Sequence, residues 1–226
     1  DRFGWYCRNT GYNPFTVEGK KTAAFEVWEH FLEQQSANGK QVDVVNMEDV
    51  TVVVSVGDGN IVSGIHKGFK DLLELGWINK VPRILGVQSE NSAAVANAFH
   101  AGTENIIPVS ATTIADSISV DLPRDGVRAV RAATQTGGTY ILVPDSEIIA
   151  GIALLGKYGI FCEPAGATAY AGFLKAHKAG LFNQNSKVVV FNTGSGLKDI
   201  NTAMKSVTAA PIIEPSMKKL KELLSV

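Results

Sequence analysis

Val50-Thr51-Val52-Val53-Val54-Ser55-Val56 runs directly into Gly57-Asp58-Gly59-Asn60, and an amphipathic segment follows at residues 61–75. A short apolar run rich in β-branched residues is typical of a strand in a parallel sheet that is covered on both faces. Glycines after such a strand allow the backbone to turn sharply into a helix. This stretch therefore predicts a strand, a glycine loop and a helix in succession.

The same alternation continues along the chain. Further strands are predicted at residues 83–87, 140–143 and 187–191, and helices at residues 22–35, 61–75, 93–99, 125–136, 146–158 and 165–178. Alternating strands and helices predict an α/β fold, with a mostly parallel sheet and helices on both faces.

Helix punctuation agrees with these boundaries. Pro144-Asp145-Ser146-Glu147 offers candidate caps at the start of one helix, and Gly159 follows its end. Pro164 can occupy the first turn of the next helix, which Gly180 can end. The tail predicts a loop and then a short Lys-rich helix at residues 217–224.

Composition limits the classes of partner. The chain has 21 basic and 22 acidic residues, so it offers no long-range attraction for nucleic acid or for an anionic membrane. No apolar run reaches the length that spans a bilayer, no secretory signal is visible, and the two cysteines lack metal-type spacing. We therefore expect a soluble, cytoplasmic protein that binds neither nucleic acid nor membrane.

The glycine loop is a candidate anion site. Its backbone N–H groups and the start of the following helix can together face a phosphate group. Gly57 and Gly59 lack the third glycine of a dinucleotide fingerprint, and no Gly-Lys-Ser/Thr string follows, so a nucleotide is disfavoured. An ordinary strand-to-helix turn explains the glycines equally well.

A second loop follows the last predicted strand, Phe191-Asn192-Thr193-Gly194-Ser195-Gly196-Leu197-Lys198-Asp199. Ligands of open α/β sheets gather at the carboxyl ends of strands, so Thr193 and the glycine loop could face one crevice. The hydroxyl groups could instead cap the next helix. Glu163 is either a site residue or solvated, because an unpaired buried carboxylate is costly.

Other catalytic chemistries find little support. The four histidines, His30, His66, His100 and His177, lie on predicted helices without metal-type spacing, and we expect them at the surface or partly packed. No G-x-S-x-G elbow is present, and Cys162 has no obvious base. We expect no metal site and assign no catalytic residue.

Asn13-Pro14-Phe15-Thr16-Val17-Glu18-Gly19-Lys20-Lys21-Thr22 and the string from Thr193 to Asp199 resemble the threonine synthases. These belong to the tryptophan-synthase-β-like, fold-type II family of pyridoxal-phosphate enzymes. The resemblance implies that pyridoxal 5'-phosphate is the cofactor and that Thr193 meets its ring nitrogen. It also implies that backbone N–H groups hold the cofactor phosphate, at Gly57, Asp58, Gly59, Asn60 and Ile61.

The implied reaction converts O-phospho-L-homoserine and water to L-threonine and phosphate, in a possible homodimer. The resemblance also implies a large cofactor-binding domain at residues 1–210, with the end of a small domain near its N-terminus, and a tail helix within residues 211–226. The family's cofactor-binding lysine lies in a Ser-x-Lys motif before the Asn-Pro segment, and these residues contain no such motif there. We therefore expect a fragment that is inactive when isolated.

Two alternatives remain open. One is a portion of a threonine or serine dehydratase of the same fold. The other is a non-catalytic module that binds phosphate or forms a subunit contact, since apolar area left bare by a missing domain promotes association.

Overall fold

A computed structural model describes residues 2–224 of the chain. Its centre is a sheet of four parallel strands in the order β3-β2-β1-β4. The strands are β1 (Val50–Ser55), β2 (Arg83–Ser89), β3 (Thr139–Val143) and β4 (Lys187–Val190). Val53 of β1 pairs with Leu85 of β2 on one side and with Val190 of β4 on the other. The predicted parallel sheet is confirmed.

Nine α-helices surround the sheet within the described residues. They are α1 (Pro14–Lys20), α2 (Thr22–Gln35), α3 (Asn60–Glu74), α4 (Ala94–His100), α5 (Gly126–Thr134), α6 (Asp145–Gly156), α7 (Pro164–Lys178), α8 (Ile200–Met204) and α9 (Met217–Leu224). Short 3₁₀ turns lie at Ala37–Gly39, Asp116–Ile118 and Gly196–Lys198. Each predicted strand and helix is present, with ends that differ by at most two residues.

The sheet separates two apolar cores, because successive side chains of a strand point to opposite faces. On one face, Val52 and Val54 pack with residues of α2 to α5, such as Phe69 of α3. On the other face, Val53 packs with residues of α6 and α7, such as Ile148. Helices therefore cover both faces, as the apolar strands predict.

Helix ends agree with the sequence in all but one respect. Pro164 lies in the first turn of α7, and both Gly159 and Gly180 follow helices in the left-handed conformation. The caps proposed for α6 were wrong: Pro144 is the N-cap and provides no side-chain cap. Asp145 instead accepts hydrogen bonds from the Ser89 hydroxyl (3.0 Å), the Thr113 hydroxyl and the Ile114 N–H. Its carboxylate therefore joins the end of β2 to a neighbouring loop.

The order of the strands places a crevice beside β1. The chain passes from β1 to β2 and then to β3 at one edge, and it returns to add β4 on the other side of β1. Where the strand order of an open α/β sheet reverses, a crevice opens outside the carboxyl ends of the neighbouring strands. The loops after β1 and β4 therefore border the same space.

The tail helix α9 has no buried residue. Its apolar side chains, among them Met217 and Leu224, are exposed to solvent. None of the helices in residues 2–224 is both long enough and apolar enough to cross a membrane.

Candidate functional site

A cavity of about 240 Å³ lies at the carboxyl ends of β1 and β4. Its walls come from the end of β1, the glycine loop and the start of α3, the 3₁₀ turn before α5, the start of α7 and the loop after β4. It is lined by Thr10, Lys20, Ser55, Val56, Gly57, Asp58, Gly59, Asn60, Ile61, Val62, Ser117, Ile118, Glu163, Ala165, Thr193 and Lys198. All six residues that the sequence singles out, Gly57 to Ile61 and Thr193, therefore line one cavity.

The glycine loop presents unused hydrogen-bond donors to this cavity. No oxygen within the described part of the chain accepts a hydrogen bond from the N–H groups of residues 57–61. Gly59 is the N-cap of α3 and has no side chain that could serve these donors. The positive end of a helix with 15 residues adds its partial charge at the same point. Together these groups can bind an anion.

Packing also requires both glycines. A Cβ on Gly57 would lie 2.8 Å from the Cα of Ile118, and one on Gly59 would lie 2.8 Å from the Cβ of Ala129. Gly59 in addition has a φ of +88°, which side chains rarely adopt. A tight turn and an anion site are therefore compatible explanations of the same glycines.

A chain of polar contacts supports the start of α3. Lys20 Nζ donates to Asn60 Oδ1, and Asn60 Nδ2 donates to Asp125 Oδ2 at 3.2 Å. The other oxygen of Asp125 accepts a hydrogen bond from Arg128 Nε. Asn60 and Asp125 are buried, so each depends on these partners. These contacts hold the ammonium group of Lys20 at the cavity wall.

Lys20 is partly buried, and its surroundings affect its pKa. Burial lowers the pKa of Lys20, while the nearby carboxylates of Asp125 and Asp58 oppose that shift. The carboxylate of Asp58 is held in place by a hydrogen bond that it accepts from the Arg124 N–H at 3.1 Å. Lys20 is thus a cation placed next to the unused N–H groups of the loop.

Another part of the cavity lining is a hydrogen-bonded triad. Glu163 is 4% exposed, and its two carboxylate oxygens accept hydrogen bonds from Lys198 Nζ and from the Ser117 hydroxyl, each at 2.9 Å. Lys198 also donates to Ser117 at 3.3 Å. A Cβ on Gly194 would lie 1.8 Å from Glu163 Oε1, so this carboxylate requires glycine beside it. Glu163 is therefore a paired residue of the cavity wall.

The hydroxyl groups of the last loop divide between the two possible roles. Ser195 caps the following 3₁₀ turn, because its oxygen accepts from the Leu197 N–H. Thr193 is exposed at the cavity and makes no hydrogen bond with the described residues. Its hydroxyl is available to a ligand.

Sequence reasoning missed several residues of this site. Lys20 stands inside the quoted segment that begins at Asn13, so a signal existed, although nothing in the spacing gave its role. Ser117 and Asp125 had no signal of their own. No cluster of His, Cys, Asp and Glu in residues 2–224 could hold a metal ion. Burial raises the pKa of the Cys162 thiol, which disfavours a nucleophilic role.

The sequence matches the family described as "Pyridoxal-phosphate dependent enzyme" over residues 1–194. It is 34% identical over 214 residues to a threonine synthase of Methanocaldococcus jannaschii, covering 94% of this chain and 50% of that protein. It is 35% identical over 205 residues to a threonine synthase of Mycobacterium bovis, covering 88% of this chain and 51% of that protein. The chain thus spans about half the length of the curated relatives that it matches.

The fold is similar to that of the processed form of threonine deaminase isoform 2 from Solanum lycopersicum. The TM-score is 0.58, with 20% identity, and the match covers 87% of this chain and 51% of that one. At this identity the likeness shows the fold alone. It confirms the fold that the sequence resemblance implies.

Proposed function

Because this chain belongs to the pyridoxal-phosphate-dependent enzyme family, we propose that it forms the cofactor-holding part of a threonine synthase. The reaction would convert O-phospho-L-homoserine and water to L-threonine and phosphate. Two relatives at 34% and 35% identity, both named threonine synthase, support this reaction. The observation that supports the cofactor's position is the cavity that the unused N–H groups of the glycine loop, Lys20 and the free hydroxyl of Thr193 all line.

The donor set fits pyridoxal phosphate. In this proposal the phosphate accepts hydrogen bonds from the backbone N–H groups of Gly57, Asp58, Gly59, Asn60 and Ile61, and Lys20 balances its charge. The hydroxyl of Thr193 meets the ring nitrogen and, being neutral, leaves that nitrogen without a proton. When bound, the cofactor supplies an electron sink for carbanions formed on the substrate.

The remaining wall residues would shape the electrostatics of the site. Glu163, Lys198 and Ser117 hold one negative and one positive charge in contact at the cavity wall. Because the pair is internally balanced, it adds polar groups without repelling a phosphorylated substrate. We assign it a positioning role.

A direct test is cofactor binding. Titration with pyridoxal phosphate should quench the fluorescence of the purified chain and shift the absorbance of the cofactor. The chain should bind pyridoxal, which lacks the phosphate, more weakly. Equal affinity for the two compounds, or no binding of either, would contradict the proposal.

A dehydratase of the same fold is the alternative within the family, because the fold, which is similar to that of a threonine deaminase, does not separate the two activities. The complete product of the reading frame that contains these residues decides between the two. A threonine synthase forms threonine from O-phosphohomoserine, whereas a dehydratase forms a 2-oxo acid from threonine or serine. A module without catalysis would do neither; sizing with and without pyridoxal phosphate would then show whether it forms a subunit contact.

A further inference from the structure

A second cavity, of about 260 Å³, lies between α1, α3 and α5, outside the proposed cofactor site. We call it the basic groove, because four of its side chains are cationic. Its lining residues are Val17, Glu18, Ser63, His66, Lys67, Lys70, Arg128, Arg131 and Gln135.

Helical spacing explains why these side chains meet. His66 and Lys67 precede Lys70 by four and three residues on α3, so both lie beside Lys70 on that helix. Arg128 and Arg131 are likewise three residues apart on α5, which packs against α3. The two faces converge, and cations line both sides of the groove.

Only part of this positive charge is neutralised. Lys67 pairs with Asp71, Arg128 pairs with Asp125 through Nε, and Arg131 pairs with Glu104 at 2.7 Å. Among the acidic residues of the described chain, none forms a salt bridge with Lys70. The terminal nitrogens of Arg128 also make no hydrogen bond within residues 2–224. The groove therefore retains donors and positive charge.

His66 is the second, independent observation. It is 8% exposed and its ring nitrogens are not fully enclosed, and neither of them forms a hydrogen bond with any part of the chain that the structure describes. Burial, and then the charge of Lys70, lowers the pKa of His66 to about 4. Because His66 lines the groove, its unpaired ring nitrogens are available to a ligand that enters there.

We propose that the basic groove binds the phosphate group of a small soluble metabolite, with Lys70, His66 and Arg128 as donors. A dianion would supply the acceptor that the imidazole lacks and would meet the unpaired ammonium of Lys70. The carboxylate of Glu18 lines the groove, and those of Asp71 and Glu104 pair with Lys67 and Arg131. These carboxylates would repel an extended polyanion. They favour a single compact anion over nucleic acid.

The test observes His66 itself, because its ring reports on this groove and not on the cofactor cavity. The purified chain is titrated with sodium sulfate, which is a dianion over the whole pH range needed, and the imidazole signals are recorded by NMR. Sodium chloride at matched ionic strength is the control for general screening. The four histidine signals are assigned by substitution.

Sulfate, and not chloride, should shift the His66 signals in a saturable way and raise the pKa of His66 above about 4. Lys70→Gln and Arg128→Gln should each weaken the sulfate affinity by about tenfold, consistent with the loss of one charged hydrogen bond. Lys157→Gln, on an exposed lysine after α6, should change nothing. An unchanged His66 signal, or a response that both groove variants retain in full, would overturn the proposal.

Discussion

The cofactor assignment gives Lys20 the role of balancing the phosphate charge, a role that its neighbour Lys21 does not share. Its ammonium group meets Asn60 at the cavity, whereas that of Lys21 pairs with Glu18 and Asp71 outside it. A charged hydrogen bond to phosphate contributes about 1.5–3 kcal/mol. We expect Lys20→Met to weaken pyridoxal phosphate binding about 10–100-fold and to leave pyridoxal binding unchanged. Fluorescence titration of both compounds measures this difference.

Lys21→Met is the matched control and should keep the wild-type affinity for pyridoxal phosphate. If Lys20→Met also keeps it, the role given to Lys20 is wrong while the cofactor assignment stands. If the wild-type chain itself does not bind pyridoxal phosphate, the cofactor assignment fails and the variant is not informative about Lys20.

Gly59 combines a left-handed backbone with a crowded surrounding. Gly59→Ala would force a Cβ to within 2.8 Å of the Ala129 side chain at a φ of +88°. We expect a loss of about 1–3 kcal/mol in the free energy of unfolding, measured by chemical denaturation. Gly156→Ala is the control, because Gly156 lies in α6 with no atom near its Cβ position. A Gly59→Ala protein as stable as that control would refute this account of the turn.

His66 makes stability depend on pH. Its pKa is about 4 in the folded chain and about 6.5 when unfolded, so between these values the unfolded chain binds more protons. Stability is therefore complete above the unfolded value and falls as the pH is lowered towards 4. Between pH 7 and pH 4.5 we expect the wild type to lose about 2 kcal/mol more than His66→Gln. Equal losses in thermal or chemical unfolding would contradict this.

At the scale of elements, apolar periodicity predicted the sheet and the long helices because the burial of their faces dominates local preference. It did not predict the short helix α8, at Ile200–Met204, since five residues carry too little pattern. The cap assigned to Asp145 was also wrong, because its carboxylate accepts hydrogen bonds from residues that are distant in sequence and does not cap α6. Thr113, one of these donors, precedes Asp145 by 32 residues in the sequence.

The tail helix α9 tests the proposed division at residue 210. Since α9 buries no residue, its removal should cost the core little. We expect a chain ending at Ala210 to unfold within about 0.5 kcal/mol of the 226-residue chain and to bind pyridoxal phosphate equally well. Denaturant titration measures the first quantity. A large loss of stability would mean that the tail belongs to the domain.

At the scale of the whole molecule, the sequence predicts those parts of the candidate site that the order of the strands brings together. Residues 57–61 and Thr193 meet because β1 and β4 are neighbours whose loops leave at the same edge. The contacts of Lys20 with Asn60 and of Ser117 with Glu163 depend on the packing of α1 and of a 3₁₀ turn. No spacing in the sequence encodes such contacts.

The last prediction concerns catalysis by this chain alone. Holding the cofactor and catalysing a reaction with it require different groups: the first needs the phosphate cradle and Thr193, and the second needs an amine that binds the cofactor covalently. Residues 1–226 contain the proposed cradle but no Ser-x-Lys motif ahead of Asn13. We therefore expect a purified polypeptide of these residues to bind pyridoxal phosphate and to form no threonine from O-phosphohomoserine above background.

Borohydride treatment should fix little cofactor to the chain, and mass spectrometry measures the amount. Turnover, or stoichiometric labelling of one lysine, would show that a lysine within these residues, with Lys20 the first to examine, supplies the missing amine.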